Sequence, residues 1–347
     1  MLDLLGTPRA DLVPALQALG IPEGQAPRVF GGLHRQRRAL EDIADLGRHA
    51  RVLGAASWRA TARVVAVQPA DDGTDKLLLE LHDGARIEAV LVPMMHGRRT
   101  LCVSTQVGCA MGCTFCATGT LGLSRNLRAG EIVAQVHAAL AHAEASGSRV
   151  TRLVFMGMGE PLHNADALAD ALRVLLDGHG VGFGSRNVVV STVGLPERLR
   201  RFGADFEGRV CLALSLHAGT DATRRRIVPA ARATSLAELK ALLQSLPFPG
   251  SRKLMLEVVV LPGVNDGPDE LDGMAAFADG LPAVINLIPF NPFPGSDFRT
   301  PTPDELTAMY AGLKARGAVV TVRKPRGREA AGACGQLALR EIQAAEG

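Results

Sequence analysis

Cysteine and lysine are scarce in this chain, and long apolar runs are absent from it. Only six of its 347 residues are cysteine, which is too few for a secreted protein held together by disulfide bonds. No apolar run reaches membrane-spanning length, and Asp3 and Asp11 lie where a signal peptide would be basic and then apolar. The sequence also has no low-complexity tail and no short fixed repeat. We therefore expect a cytoplasmic protein that does not bind a membrane.

Arginine supplies nearly all of the positive charge, because the chain has five lysines among 38 basic residues. The net charge is only +3, so local clusters matter more than the total. Three stretches are strongly basic, namely HRQRR (34–38), TRRRI (223–227) and VRKPRGR (322–328). Each fits a solvated surface, and each also fits a surface that binds RNA phosphates and stacked bases. The clusters alone leave both interpretations open.

Three successive patterns divide the chain. Residues 1–50 have apolar residues at helical spacing, broken by Pro and Gly, and residues 58–93 alternate as a β-hairpin does. From about residue 98, short apolar strands alternate with helices, which indicates parallel strands joined by right-handed crossovers. The sequence therefore predicts an α/β protein, with a small N-terminal helical and β accessory domain at 1–95, a partial (βα)6 barrel at 96–330 and a C-terminal segment at 331–347.

Gly-rich or polar motifs follow the predicted strands of the barrel. Each of them alone is an ordinary turn. In barrels of this kind, however, catalytic groups collect at the carboxyl ends of the strands, so we expect the motifs to surround one cavity. In chain order they are VGCAMGCTFC (107–116), GMGEP (157–161), STVG (191–194), SLH (215–217) and NPFPGS (291–296).

The first motif contains three cysteines, Cys109, Cys113 and Cys116, within eight residues. A structural zinc site and an ordinary ferredoxin cluster each need four ligands, and no His or Cys lies just beyond Cys116. An iron–sulfur cluster held by three thiolates leaves one iron open to the amine and carboxylate of a small molecule. A sulfonium bound there is close enough to take an electron and lose a carbon–sulfur bond. A zinc site remains the alternative.

CAMGCTFC resembles the CxxxCxxC loop of radical S-adenosylmethionine enzymes, which hold a 4Fe–4S cluster and fold as partial barrels. The similarity extends over almost the whole chain to the RlmN/Cfr family of RNA methyltransferases. The stretches that carry it are TLCVSTQVGCAMGCTFCATG, FMGMGEPL, ALSLHAGTDATRRRIVP, GVND, INLIPFNPFPGS and ACGQL. The resemblance implies a 4Fe–4S cluster, S-adenosyl-L-methionine, and methylation of adenosine in large-subunit (23S) ribosomal RNA and, in some members, transfer RNA.

The resemblance also implies roles for two further cysteines and a glutamate. Carbon 2 of adenine is electron-poor, so the family first methylates a cysteine and then makes a carbon radical from that methyl group. By the resemblance, Cys334 in ACGQL carries the methyl group, and Cys102 releases the protein–RNA adduct by forming a transient disulfide with it. Glu88 in RIEAVLV would accept a proton or position the adenine. The Gly-rich RGREAAGACG (326–335) is expected to be a mobile loop that brings Cys334 over the barrel mouth.

The remaining implied contacts are with the cofactors. The three cysteines of the CxxxCxxC loop would hold the cluster, and Glu160, beside Gly159, would accept a hydrogen bond from the amino group of methionine. The other residues expected to bind S-adenosyl-L-methionine are Ser191, Ser215, Leu216, His217 and Asn291.

Departures from the family pattern concern the RNA more than the cluster. They are VRKPRGRE, LEVVVLPGVND and IVPAARATS. The primary prediction is methylation at carbon 2 of adenosine. Three alternatives remain: methylation at carbon 8, a radical enzyme for a non-RNA substrate, and an RNA-binding module that holds zinc. The helical N-terminal region and the arginine clusters favour RNA over a small substrate, and we expect HRQRR to bind the RNA. We also expect a monomer and a low-potential electron donor such as flavodoxin.

Overall fold

The chain folds as a curved, mostly parallel sheet covered by helices, which confirms the predicted fold class. The computed structural model describes residues 1–250, 253–324 and 326–338. The α-helices within these ranges are α1 (Arg9–Ala18), α2 (Ala26–His34), α3 (Arg48–Ala56), α4 (Ala117–Thr120), α5 (Ala129–Ala145), α6 (Ala165–Leu176), α7 (Pro196–Phe206), α8 (Asp221–Ile227), α9 (Leu236–Ser245), α10 (Pro268–Ala278) and α11 (Pro303–Ala315).

The strands form one large sheet and two small ones. In chain order they are β1 (Leu2–Asp3), β2 (Ser57–Trp58), β3 (Ala62–Pro69), β4 (Asp75–Leu81), β5 (Arg86–Pro93), β6 (Arg98–Cys102), β7 (Gln106–Gly108), β8 (Leu123–Asn126), β9 (Arg149–Phe155), β10 (Val188–Thr192), β11 (Cys211–Ser215), β12 (Leu254–Val260), β13 (Ala283–Pro289) and β14 (Val320–Val322). The large sheet has the order β14-β13-β12-β11-β10-β9-β6-β5-β4-β3.

Seven neighbouring strands, from β6 to β14, run parallel and form the partial barrel. Helices connect each strand of this set to the next, in the order that the sequence predicts. Several helices begin at strong capping signals. Ser235 and Glu238 form a capping box at the start of α9, and Thr302 and Glu305 form one at α11. All seven strands therefore end on the same side of the barrel, and the loops there can share a site.

The accessory β-strands extend the barrel sheet instead of forming a separate one. β3, β4 and β5 are antiparallel to one another, and β5 is antiparallel to β6, with Val90 opposite Cys102. The sheet thus continues across the predicted domain boundary at residue 95. This continuity fixes the β4–β5 face relative to the end of β6, where the motifs begin.

The end of α2 and the residues that follow it contact the end of the barrel opposite the motifs. Arg35 donates to the carbonyl of Gly178, in the connection that leads into β10, at 2.6 Å. Arg37 forms an ion pair with Glu144, near the end of α5 and just before β9 begins. The HRQRR cluster therefore lies near the amino ends of the barrel strands.

Two kinds of apolar packing lie on either side of the sheet. The larger core fills the space between the sheet and the helices. A small cluster of Val154, Val189 and Ala213 lies on the concave side, packed against Cys102 and Met255 among others. This cluster forms the floor of the barrel. Within the described ranges, no helix has the length and apolarity needed to cross a membrane.

Candidate active site

The cysteine loop is held by a two-stranded sheet that the sequence did not predict. β7 and β8 are antiparallel and lie on either side of the loop, and the Cys109 amide donates to the carbonyl of Gly122 at 2.8 Å. Gly108 has φ +80°, and a Cβ at this position would lie 1.9 Å from the Gly122 oxygen. Only glycine fits there, because a side chain would push the two strands apart.

The three cysteines of the loop are close enough to affect one another. Burial, with smaller contributions from the charges of Cys116 and Glu160, raises the pKa of the Cys109 thiol to about 11. Burial also raises the pKa of Cys113, to which the charges of Cys116 and Cys109 add. Three thiolates so placed are stable only beside a cation or a metal cluster.

At least two of the three thiols lie farther apart than two ligands of one zinc ion would. Tetrahedral zinc–thiolate bonds of about 2.3 Å place sulfur atoms roughly 3.8 Å apart. In the described part of the chain, one group of three His, Cys, Asp or Glu ligand atoms lies within 4.8 Å of one another, namely His82, Asp83 and Glu131. The three cysteines do not form such a group. Arg125 makes ion pairs with Asp83 and Glu131, so these carboxylates already have a cation.

The main cavity of the site opens beside the three cysteines and above the apolar floor of the barrel. Side chains on a strand alternate between its two faces. Ser191, Ser215 and Glu257 lie two residues beyond Val189, Ala213 and Met255 of the floor, and they line the cavity. Ser191 Oγ and Ser215 Oγ are 3.4 Å apart. The sequence predicted both serines, and the structure brings them together.

Gly159 and Glu160 form the wall of the cavity next to the cysteine loop. Gly159 has φ +100°, and an added Cβ would lie 2.6 Å from the Cβ of Gln106. Gln106 Oε1 accepts the Glu160 amide at 2.8 Å, which fixes this turn. The Glu160 carboxylate accepts from the backbone amides of Leu162 and Val193, and burial raises its pKa to about 7. It keeps lone pairs that can accept from an ammonium group.

His217 lies in the same cavity as a neutral imidazole. Its Nδ1 accepts from the amide of Val259 at 3.1 Å, and its ring packs edge-on against Phe115. Burial and, to a smaller extent, the nearby charge of Arg224 together lower the pKa of His217 to about 3. The ring proton therefore sits on Nε2, which can donate to a ligand.

Leu216 is the one predicted cofactor residue whose side chain faces away from both cavities. Its side chain is fully buried in the main core, and its carbonyl accepts from Arg224 Nε at 3.2 Å. Arg224 also donates to the carbonyls of Val193 and Ser215, so it ties together the loops after β10 and β11. The first arginine of TRRRI is thus a buried support of the site rather than part of a solvated surface.

A second cavity adjoins the first and contains the other two predicted catalytic cysteines. Cys102, Cys334 and Asn291 line it, and Cys116, Cys334 and Arg323 line both cavities. Cys102 and Cys334 are free thiols. Burial and the nearby charge of Cys334, partly opposed by Arg323, raise the pKa of Cys102 to about 12. Asn291, which the sequence predicts to touch the cofactor, lines this second cavity, and its amide donates to the Cys334 carbonyl at 3.2 Å.

The segment that carries Cys334 is anchored on both sides of the cavity. Toward the cysteine loop, the carbonyl of Gly335 accepts from the Ala117 amide at 2.7 Å, and Thr118 Oγ1 donates to the carbonyl of Leu337 at 2.6 Å. On the other side, Asp72 in the β3–β4 turn accepts from the Gly327 amide at 3.0 Å. Residues 339–347 of the predicted C-terminal segment lie outside the described residues.

Glu88 lies on the face of β5 that carries Val90, which lines the second cavity. The carboxylate of Glu88 is completely buried and forms an ion pair with Lys76 at 3.0 Å. Its other oxygen accepts from the Ala338 amide at 2.9 Å. In this conformation the C-terminal segment covers Glu88, so a substrate could reach the carboxylate only if that segment moved.

Four residues of the site escaped the sequence analysis: Gln106, Arg224, Glu257 and Arg323. Glu257 had a visible signal, because it is a carboxylate inside the apolar run LMLEVVV. Arg224 and Arg323 lie inside basic clusters, and a sequence does not show which arginine of a cluster turns inward. Gln106 lies in the quoted STQVGC stretch, but nothing marked its side chain as a support of Glu160.

The site fits a three-thiolate 4Fe–4S cluster with S-adenosyl-L-methionine beside it. The three converging thiols can hold the cluster. Glu160, the two serines and His217 present acceptors and donors around the adjoining space. Together the fold and the site define a radical S-adenosylmethionine enzyme, and the Radical SAM superfamily model matches residues 103–277.

Comparison with curated and solved proteins gives the family within this class. The chain is 44% identical over 343 residues to a dual-specificity RNA methyltransferase RlmN from Anaeromyxobacter dehalogenans (97% of this chain, 91% of that protein). It is 41% identical over 324 residues to one from Syntrophobacter fumaroxidans (93% and 94%). A crystal structure of a radical SAM methyltransferase from Sphaerobacter thermophilus matches with TM-score 0.90 and 38% identity, over 97% of this chain and 99% of that one. The chain belongs to the RlmN family of radical SAM methyltransferases, and its cofactors are a 4Fe–4S cluster and S-adenosyl-L-methionine.

Proposed function

We propose that this protein methylates carbon 2 of an adenosine in RNA, in 23S ribosomal RNA and also in transfer RNA, through a methyl group carried on Cys334. The relatives are named as dual-specificity RNA methyltransferases, which supports an RNA substrate for this chain. The observation that carries the proposal is the pair of joined cavities. Cys334 lines both, Cys102 lines the second, and the cluster cysteine Cys116 borders both.

The joined cavities suit a route in which one thiol is used twice. When bound, the cluster supplies the electron that cleaves S-adenosyl-L-methionine. Cys334 first accepts a methyl group by displacement, and hydrogen is then taken from that methyl group so that its carbon can bond to the base. Cys334 faces the cofactor cavity for the first task and the second cavity for the next. Water exclusion matters here because a carbon radical is reactive, and the apolar lining provides it.

Release of the product needs a second thiol and a proton acceptor. Once the radical adduct has returned one electron to the electron carrier and lost the proton of carbon 2, the Cys102 thiolate, which shares the second cavity with Cys334, attacks the Cys334 sulfur. The carbon–sulfur bond breaks, its electron pair stays with the methylene carbon, and that carbon takes a proton, so the disulfide frees the methylated base. Glu88 takes the proton from carbon 2 once the segment around Ala338 has moved off its carboxylate. Lys76, at 3.0 Å from Glu88, stabilises the carboxylate until that point.

The test is analysis of nucleosides after an anaerobic reaction. Cluster-loaded protein, S-adenosyl-L-methionine and a reduced flavodoxin are incubated with unmodified ribosomal RNA or transfer RNA, and the digested nucleosides are compared with 2-methyladenosine and 8-methyladenosine. We expect 2-methyladenosine in both RNAs and none with Cys334→Ala. The carbon-8 isomer would move the protein to the alternative reaction of its family. Cleavage of the cofactor without any methylated adenosine would contradict an RNA substrate.

A further inference from the structure

Glu257 carries a buried oxygen atom with no assigned partner in the cofactor cavity. The residue is 3% exposed, and it lines the cavity together with Ser215 and His217. Its Oε1 has no hydrogen-bond partner among the residues that the structure describes. A buried acceptor left unpaired costs about 1–3 kcal/mol, and more if it is charged. Arg323 lines the same cavity and its charge acts on Glu257, but it makes no hydrogen bond or ion pair with this carboxylate among the described residues, so Oε1 is expected to meet a donor supplied by a ligand.

The orientation of this carboxylate is fixed from behind by neighbouring strands. Glu257 on β12, Asn286 on β13 and Thr321 on β14 are paired in register across the sheet. Thr321 Oγ1 donates to Asn286 Oδ1 at 3.0 Å, and Asn286 Nδ2 donates to Glu257 Oε2 at 2.8 Å. Because Asn286 accepts from Thr321 through its oxygen, its amino group must point at Glu257. This series of hydrogen bonds occupies Glu257 Oε2 and leaves Oε1 available to a ligand in the cavity.

The position of Glu257 selects which part of the cofactor it can meet. The amino-acid end of S-adenosyl-L-methionine belongs beside the cluster cysteines and Glu160, on the side of the cavity formed by β6, β7 and β9. Glu257 lies across the cavity on β12, directly paired with Ser215 of β11. Ser191 Oγ in turn lies 3.4 Å from Ser215 Oγ. A row of two hydroxyls and one carboxylate matches a ligand group that has two adjacent hydroxyls.

We propose that Glu257 Oε1 binds a ribose hydroxyl of S-adenosyl-L-methionine, with Asn286 and Thr321 as positioning residues behind it. A carboxylate only accepts hydrogen bonds, so it requires a donor, and a ribose hydroxyl is one. The adjacent Ser215 hydroxyl can donate or accept, and so it suits the second hydroxyl of the diol. This inference concerns the cofactor alone and does not depend on the RNA or on the roles of Cys102 and Cys334.

The experiment is a cycle that changes both the side chain and the ligand. Binding of S-adenosyl-L-methionine and of its 2′-deoxy and 3′-deoxy analogues to the cluster-loaded protein is measured anaerobically by calorimetry, for the unaltered chain and for Glu257→Gln. A hydrogen bond to a charged group is worth roughly 10- to 100-fold in affinity. We expect one of the two analogues to bind the unaltered protein at least tenfold more weakly than the parent cofactor. S-adenosyl-L-methionine itself should bind Glu257→Gln about as weakly as that analogue binds the unaltered protein. The same analogue should bind Glu257→Gln only slightly more weakly than it binds the unaltered protein.

Two controls separate this role from a structural one. Iron content and thermal unfolding show whether Glu257→Gln is folded and loaded, and Asp304→Asn, an exposed carboxylate at the start of α11, should bind all three ligands as the unaltered chain does. Parallel losses for all three ligands in Glu257→Gln would overturn the proposal, because the carboxylate would then act only through packing. If the variant does not fold, the analogues still decide, since equal binding of all three to the unaltered protein would overturn it as well.

Discussion

Cys102 and Cys334 face the same cavity, yet the proposed route gives them different tasks. Cys334 also faces the cofactor, whereas Cys102 faces only the second cavity. At the scale of single residues, the cavity that a side chain lines thus indicates its proposed task. The same criterion separates the predicted cofactor residues: Ser191, Ser215 and His217 line the first cavity, but Asn291 lines the second and Leu216 lines neither.

Replacing each cysteine should stop the reaction at a different point. Cys334→Ala should abolish RNA methylation and leave no protein–RNA adduct, because no carbon is available for transfer. Cys102→Ala should still load the methyl group and add it to adenine, so RNA covalently bound to protein should accumulate. A ribonuclease-sensitive shift on a denaturing gel detects the adduct. Cys211→Ala, outside both cavities, is the control, and full activity of Cys334→Ala would remove the proposed route.

Buried histidines should make the protein less stable in mild acid. Burial lowers the pKa of His34 to about 4, and neither ring nitrogen has a hydrogen-bond partner in the described ranges. Between pH 6.5 and 4 the unfolded chain binds a proton that the folded chain does not, so stability falls as pH falls. The free energy of unfolding in urea is measured at pH 7 and at pH 5.5. Between these two pH values it should fall less for His34→Leu than for the unaltered protein, by about 1 kcal/mol per pH unit. His49→Leu should behave as the unaltered protein does, and equal losses in all three would contradict the prediction.

At the scale of elements, short connections determine where the reactive groups lie. The β7–β8 pair fixes the cysteine loop, and the β3–β4 turn anchors the segment with Cys334. The first contact depends on a close approach of the backbone at Gly108, and the second depends on the carboxylate of Asp72. Each can therefore be tested by a single substitution with a matched control.

Two glycines of the β7–β8 pair should respond differently to the same change. Both glycines have positive φ. A Cβ added at Gly108 would lie 1.9 Å from a carbonyl oxygen, whereas a Cβ added at Gly122 would have no atom of another part of the chain within 4 Å. Gly108→Ala should disrupt the loop and lower iron from about four per chain to less than one. Gly122→Ala should cost only the roughly 1 kcal/mol of backbone strain and keep its iron. Iron and sulfide analysis decides, and equal iron in both variants would contradict the role given to Gly108.

Freeing the C-terminal segment should separate cofactor cleavage from methyl transfer. Asp72→Ala removes the acceptor for the Gly327 amide and the nearby charge for Arg326. Loss of one such anchor should reduce methylation of RNA by roughly tenfold, while reductive cleavage of S-adenosyl-L-methionine continues. Asp177→Ala is the matched control, because it also removes an acceptor for one backbone amide and a partner for one arginine, but in the connection before β10, away from this segment. A parallel fall of both activities would show that Asp72 supports the cluster instead.

The sequence predicted the barrel well because strand and helix periodicities are local signals. The strands from TLCVST to AVVTVRK all form, and so do the hairpin at 58–93 and the N-terminal helices. The joining of β5 to β6 was not predicted, since strand pairing is a tertiary property. The three cysteines of the CxxxCxxC loop could be singled out from their spacing, because that spacing is also a local signal. Glu257 and Arg323 could not be placed, because their roles depend on which strands lie next to each other.

At the scale of the whole molecule, the surfaces available to RNA lie at two different ends. HRQRR lies near the amino ends of the barrel strands, where Arg37 is paired with Glu144. Arg225 and Arg226 are exposed on α8, next to Ile227, whose carbonyl accepts from the Thr114 amide of the cysteine loop. Arg225 and Arg226 therefore lie on the same side of the barrel as the cysteine loop and the cavities.

Salt dependence of RNA binding distinguishes the two surfaces. Arg225→Ala with Arg226→Ala should weaken binding of a ribosomal RNA fragment and lower the slope of log affinity against log salt by roughly one to two. Arg35→Ala with Arg38→Ala is the comparison pair, and it should have the smaller effect. Filter binding from low to moderate salt measures both. If Arg35→Ala with Arg38→Ala lost more RNA affinity than the first pair, RNA would bind mainly at the HRQRR cluster, as the sequence predicts.

The central claim is that the methyl carbon reaches adenine by way of Cys334. Reaction with S-adenosyl-L-methionine that carries a fully deuterated methyl group tests this most directly. One deuterium must be lost when hydrogen is taken from the methyl group on Cys334, so the methylated adenosine should retain two deuterium atoms by mass spectrometry. The tryptic peptide with Cys334 should carry the intact deuterated methyl group when RNA is withheld. A product that retains all three deuterium atoms would mean direct transfer, and it would contradict the account.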